Sequence, residues 1–198
     1  MTAMMTVSLH QTWADCFRPA HRGRAIGYNM LLVLGGSLLL AASAQLMVPV
    51  PFSPVPVTAQ TFAVLLLGAL LGPTLGVAAV LAYLAQGLAG LPVFAGGIGA
   101  AALLGPTGGY LVGFIPGVWL TGIAAQRGWD RQPIATAAAM VAGCAAIFAC
   151  GMLWLGMYLP WSQVVASGLL PFLPGEVAKI ALATAVLPTG WRVLQWLR

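Results

Sequence analysis

Glu176 and Lys179 are the acid and the lysine set against a long apolar run, three residues apart. On a helix that spacing puts both on one face. A carboxylate accepts hydrogen bonds from N–H groups, and an ammonium donates to a carboxylate or carbonyl oxygen. Pro174-Gly175 stands directly before them and predicts a helix start, whose positive dipole end lies at the same place. Charges against apolar surface are costly and mark functional sites by default, which points to a polar pair lining a ligand cavity. The plainer reading is a surface ion pair at a helix end, reaching to lipid headgroups. Gln86 is a lone amide in another apolar run. A buried amide needs partners, either a neighbouring helix or a ligand. Thr58, Gln60, Phe94 and Tyr110 sit at run ends or in the loops between runs.

Several chemistries are absent from the sequence. No GxxxxGK[ST] motif occurs, so ATP hydrolysis by a P-loop is excluded. Gly97-Ile98-Gly99 has the outline of a dinucleotide loop but lacks the preceding strand and the following acid. His10 and His21 fall near the N-terminus, away from the apolar runs, so neither a membrane metal site nor a Ser–His or Cys–His pair can be assembled. No chain of carboxylates is available for proton coupling. Cys16, Cys144 and Cys150 form no CxxC motif, and Cys144 and Cys150 read as small apolar packers.

The elements that position these residues follow from composition. Of 198 residues, 61% are hydrophobic and 6% charged, whereas soluble domains carry about 25% charged residues. Lipid is the solvent that tolerates such a chain. Residues 25–126 contain no Asp, Glu, Lys or Arg, and neither do residues 132–175. At about 20 apolar residues per crossing, the expectation is six transmembrane helices. They run over 25–48, 59–72, 75–90, 106–126, 133–158 and 175–197. A rival division with two spans between 132 and 175 leaves 180–191 too short to cross.

The net charge of +5 comes from short patches beside apolar runs: Arg18, Arg22 and Arg24; Arg127 and Arg131; Arg192 and Arg198. That is the positive-inside pattern, not a basic face for nucleic acid. An even number of crossings places every patch, and both termini, in the cytoplasm. Residues 1–24 then form a cytoplasmic tail and 25–198 a single membrane domain. Two apolar loops, 49–58 with four prolines and 91–105 rich in Gly and Ala, fall together with Glu176 on the outer side. Irregular backbone there implies a capped, outward-facing pocket. Glycines at 105, 109, 113 and 117, and at 68, 72 and 76, form stripes for close helix packing, within the chain or against a partner helix.

The segment Pro51-Phe52-Ser53-Pro54-Val55-Pro56-Val57-Thr58-Ala59-Gln60-Thr61 resembles the first loop of the BioY family, the biotin-specific substrate-binding components of energy-coupling-factor transporters. Gly90-Leu91-Pro92-Val93-Phe94-Ala95-Gly96-Gly97 and Gly105-Pro106-Thr107-Gly108-Gly109-Tyr110 are similar to the next two segments. Pro171-Phe172-Leu173-Pro174-Gly175-Glu176 with Lys179 is similar to the family's acid-and-lysine pair. The likeness runs from about residue 25 to 195, with Glu176 where the family more often has Asp.

The resemblance implies an all-α integral protein of the inner, cytoplasmic membrane, with a biotin pocket formed by Glu176, Lys179, Gln86, Phe94, Tyr110, Thr58 and Gly97. It implies a partner-docking face at Ser37, Ala41 and Ala44, where the family's small-xxx-small contact has two alanines. The expected partners are biotin, lipid, a transmembrane coupling protein and ATPase subunits, with homo-oligomerisation left open. No cofactor, metal or nucleic acid is expected. Which end of biotin meets Lys179 stays open. The rival function is a structural or assembly membrane protein in which Glu176 and Lys179 form a surface or interhelical ion pair.

Overall fold

The computed structural model describes residues 11–196. Residues 1–10 of the expected tail, His10 among them, and Leu197 and Arg198 lie outside the described residues. The fold is helical: α1 (Trp13–Cys16), α2 (Arg22–Gln45), α3 (Gln60–Leu88), α4 (Ala101–Leu104), α5 (Gly108–Gln126), α6 (Pro133–Leu155), α7 (Trp161–Gly168) and α8 (Leu173–Trp196). Two short strands, β1 (Met47–Val48) and β2 (Val57–Thr58), pair antiparallel and close the proline-rich loop into a hairpin. Of the helices, α2, α3, α5, α6 and α8 are long and apolar enough to cross a membrane. Large apolar side chains face outward along them, including Leu31, Leu34 and Leu38 on α2 and Val177, Leu182 and Val186 on α8. Water would penalise that surface; hydrocarbon does not.

The segment α3 is two helices, not one. Gly72 has φ +78° and Pro73 follows it, so the chain turns back between residues 60–71 and 73–88. The Gln60 amide lies 2.6 Å from the Tyr83 hydroxyl, residues that a straight helix would hold about 34 Å apart. The turn rests on α5, where a Cβ added to Gly122 would stand 2.4 Å from the Pro73 nitrogen. Gly68 and Gly76 lie on opposite arms, and both approach Val118 of α5. The expected single stripe at 68, 72 and 76 is thereby divided by the reversal at Gly72. Gly109, Gly113 and Gly117 pack α5 against α6, opposite Trp154, Ile147 and Gly143. Both stripes serve contact within the chain.

Two ends of the bundle differ in chemistry. At one end, the ring of Trp13 of α1 packs at a tilt against Trp191 of α8 with centroids 5.2 Å apart. The Arg131 guanidinium lies 4.4 Å from the centre of that Trp191 ring. Thr12 reaches the hairpin turn, where a Cβ at Gly72 would be 3.1 Å from its methyl. Residues 12 and 13, within the expected tail 1–24, are thus docked on the bundle. The opposite end carries the proline loop, the Gly/Ala segment, α7 and the start of α8. Helix boundaries sit close to the expected ones, with α2 starting at Arg22 and α8 at Leu173. The additions are the β1–β2 ladder and α7, which lies within the segment 159–174 expected as an irregular connection.

Candidate functional site

The Gln60–Thr61 start of α3, the head of α5 and the first turn of α8 converge beneath the two irregular loops and line a cavity of about 120 Å³. Its roof is Pro54, Val55 and Pro56, with Thr58 at the edge. Four prolines between residues 49 and 56 preclude helix and leave few backbone donors unsatisfied, so the loop can lie against an apolar cavity. The Gly/Ala segment contributes Phe94, Ala95, Ile98 and Ala102. Phe94 is 1% exposed. Its ring fills a slot over Gly87, where a Cβ would stand 2.0 Å from Cζ, and meets Tyr83 edge-on at 5.2 Å. The Tyr83 hydroxyl donates to the Val93 carbonyl at 3.3 Å and accepts from the Gln60 amide at 2.6 Å. The loop is thereby fixed to the α3 hairpin.

The opposite wall is aromatic. Tyr110 of α5 lies face-on to Phe172 at 6.2 Å, and Phe148 of α6 meets both rings edge-on at 5.8 and 5.6 Å. The Tyr110 ring presses on Gly151, where a Cβ would lie 2.3 Å away. Its hydroxyl donates to the Gly168 carbonyl at 2.7 Å. These contacts set an apolar ring-sized surface opposite the polar side of the cavity.

That polar side centres on Glu176, which is 3% exposed and lines the cavity. Its Oε1 accepts from the Thr61 hydroxyl at 2.6 Å and from the Lys179 ammonium at 2.7 Å. Its Oε2 meets only the Cys144 thiol, at 3.5 Å, among the described residues. One carboxylate oxygen is held and the other keeps capacity for a donor. The position in the first turn of α8 adds the favourable end of the helix dipole.

Four of the expected residues, Thr58, Phe94, Tyr110 and Glu176, meet on the cavity wall. Three do not. Lys179 stands behind Glu176, donating to the Thr58 carbonyl at 2.7 Å and the Thr61 hydroxyl at 2.8 Å. Gln86 donates to the Ser37 hydroxyl at 3.0 Å, joining two helices away from the cavity. Gly97, with φ +70°, shapes the loop turn. The docking face expected on α2 is turned inward: Ser37 and Ala44 are fully buried, and Ala41 packs half-buried against the core. Small side chains at those positions let α2 approach α3, where a Cβ on Gly36 would meet Ala79 at 2.9 Å.

Residues the sequence left without a role include Thr61, which bridges the charged pair, and Phe148 and Phe172, which build the aromatic wall. Thr61 and Gln60 gave a signal as two polar residues opening an apolar helix. Phe148 gave none. Cys144, expected as an apolar packer, is buried and also touches Glu176. Among the described residues no group of three metal-ligating side chains occurs.

The BioY family model matches residues 18–196. The biotin transporter BioY of Rhodobacter capsulatus is 36% identical over 175 residues, 80% of this chain and 90% of that protein. The biotin transporter BioY of Thermotoga maritima is 37% identical over 142 residues, 70% of this chain and 82% of that protein. Among solved structures, the biotin S-component of an ECF-type ABC transporter superposes with a TM-score of 0.74 at 26% identity, covering 88% of this chain and 95% of its own.

Proposed function

The chain belongs to the BioY family, and from that premise we propose that this cavity is the biotin site, with Glu176 as the group that recognises the ligand. The chain is the substrate-specific component of an ECF-type biotin transporter, a multi-pass protein of the cell membrane and not an enzyme. Components of the energy-coupling module are its partners, which agrees with a chain that lacks its own ATP-binding loop.

The observation that carries the site is a carboxylate, 3% exposed, on the wall of an otherwise apolar cavity. Biotin presents a fused ureido and thioether ring system. The ureido N–H groups match the open Glu176 Oε2, which Lys179 and Thr61 leave uncommitted. The ring faces and thioether match the surface of Tyr110, Phe148 and Phe172, since sulfur and apolar rings pack well on aromatics. Thr58 and Thr107 supply further polar atoms at the rim.

Six crossings, with both termini in the cytoplasm, follow in this reading from counting the α3 hairpin as two short spans. The basic patches then share the inner side with α1 and the hairpin turn. The roof loop and Glu176 face outward, the side from which a vitamin is captured. A surface ion pair for Glu176 and Lys179 is disfavoured by the near-complete burial of Glu176.

Uptake of radiolabelled biotin by a biotin-auxotrophic host is the test. Wild-type chain with its coupling partners restores uptake. Glu176→Ala at equal membrane abundance reduces it at least tenfold at limiting biotin, the loss of about 1.5–3 kcal/mol for a hydrogen bond to a charged group. Undiminished uptake by Glu176→Ala refutes the assignment.

A further inference from the structure

We propose that residues 11–16 form a pH-sensitive clasp across the α1 end of the bundle, held shut through Asp130 and Trp191 and loosened when the Asp130 carboxyl ionises. The inference goes beyond the biotin reading of the cavity and does not rest on it. The segment touches several distant parts of the chain. The Arg131 guanidinium donates to the Gln11 carbonyl at 3.1 Å. Thr12, 1% exposed, lies against the Gly72 turn. The Trp13 ring lies over Gly190 of α8, where a Cβ would stand 2.8 Å from Cζ2, and packs against Trp191. The Tyr28 hydroxyl of α2 donates to the Ala14 carbonyl at 3.1 Å. A helix as short as α1 has little stability of its own, so these contacts decide whether the segment stays in place.

Trp191 joins the clasp to Asp130. Its ring is 1% exposed, with Trp13 against it and the Arg131 guanidinium 4.4 Å from its centre. Its indole N–H donates to Asp130 Oδ2. Asp130 Oδ1 is buried without a partner among the described residues, and so is the Trp13 indole nitrogen. A neutral carboxyl tolerates that burial far better than a carboxylate with one bare oxygen. The elements around the turn offer little relief. Helix α5 ends in Arg127 and α8 carries Arg192, both exposed. Helix α6 brings the Thr136 hydroxyl, which donates to the Trp129 carbonyl at 3.0 Å. Asp15 of α1 is exposed and bonded to Thr12. Arg131 is the charge that pulls on the Asp130 carboxyl, and burial outweighs it, raising the carboxyl from 3.8 to about 6. The shut clasp therefore holds the proton more tightly than an open, hydrated one. Closure is fully favoured below about pH 4 and weakens as pH rises through about 6. Lifting Trp13 off Trp191 returns water to both orphaned atoms.

The experiment follows hydrogen exchange across residues 12–18 of the full-length chain in detergent, from about pH 4 to about pH 8, for wild type, Asp130→Asn and Trp13→Ala. Comparing the proteins at each pH removes the intrinsic pH dependence of exchange. Asp130→Asn keeps the size of the side chain and stays neutral. The clasp predicts that wild type exchanges like Asp130→Asn near pH 4 and about tenfold or more faster by pH 8, a change allowed by the gap between 3.8 and about 6. Trp13→Ala exchanges fast throughout and shows no step. Parallel exchange of wild type and Asp130→Asn over the whole range, or a step that survives in Trp13→Ala, overturns the clasp. Should Asp130→Asn fail to fold, wild type against Trp13→Ala decides. Protection of wild type near pH 4 that fades toward the variant's rate by pH 8 supports the clasp, and a constant ratio overturns it. A biotin titration at both ends of the range keeps the two readings apart: absence of binding by folded wild type overturns the cavity assignment and leaves the exchange result standing.

Discussion

Asp130 shows how much a single buried carboxylate can shape this protein far from its ligand. It lies in the turn between α5 and α6, 3% exposed, with Oδ2 accepting from the Trp191 indole and Oδ1 without a partner among the described residues. Burial pushes its pKa up from 3.8 to about 6, against the opposing pull of Trp191 and Arg131. The folded state thus holds the proton more tightly than the unfolded state. Its contribution to stability is full below about pH 4 and is lost as pH rises through about 6. Asp130→Asn removes that dependence. Thermal unfolding in detergent should show the two proteins converging in pH response below pH 4, with wild type losing stability relative to Asp130→Asn between pH 4 and 6. Parallel pH profiles across this window would contradict the account. Asp130 and Glu176 were equally visible in the sequence as acids. Only Glu176 announced a role, because it stood against an apolar run. Asp130 stands in the turn between Arg127 and Arg131, and nothing in that turn's sequence signals burial.

The elements follow the same division. Uninterrupted apolar runs placed the long helices, and Gly72-Pro73 marked the reversal inside α3. The β1–β2 ladder was not legible, because strands of two residues leave no alternating pattern. The helix α7 was not legible either, since eight residues inside a proline-bounded segment do not sustain a period. Gln86 was read as a ligand candidate from its isolation; the structure gives it Ser37, the helix partner that a buried amide also permits. The Gly/Ala loop offers the sharpest test at this scale. Its aromatic anchor, Phe94, sits on Gly87 with no room for a methyl group. Gly87→Ala must expel the ring, a cost of about 1–3 kcal/mol for overpacking. Lower thermal stability and weaker biotin binding are both expected. Gly35→Ala on the outward face of α2, where nothing lies within 4 Å of the added methyl, is the control and should leave both unchanged. Equal behaviour of the two variants would show that Phe94 does not hold the loop.

For the whole molecule, the decisive arrangement is the separation of two ends by an apolar belt. The basic turns, α1 and the Trp13–Trp191 contact close one end. The roof, the aromatic wall and Glu176 line a small cavity at the other. The sequence conveyed this polarity through the spacing of its arginines and loops. It did not convey which polar residues turn inward, since that depends on the packing that brings Thr61 beside Glu176 and Lys179, more than a hundred positions away. The central claim is that this cavity binds biotin. Isothermal titration of biotin into purified full-length chain, with no coupling partner present, tests it most directly. Saturable binding of one biotin per chain, abolished or weakened at least tenfold by Glu176→Ala, is the predicted result. Absence of binding by the folded wild-type chain, or equal binding by Glu176→Ala, would contradict it.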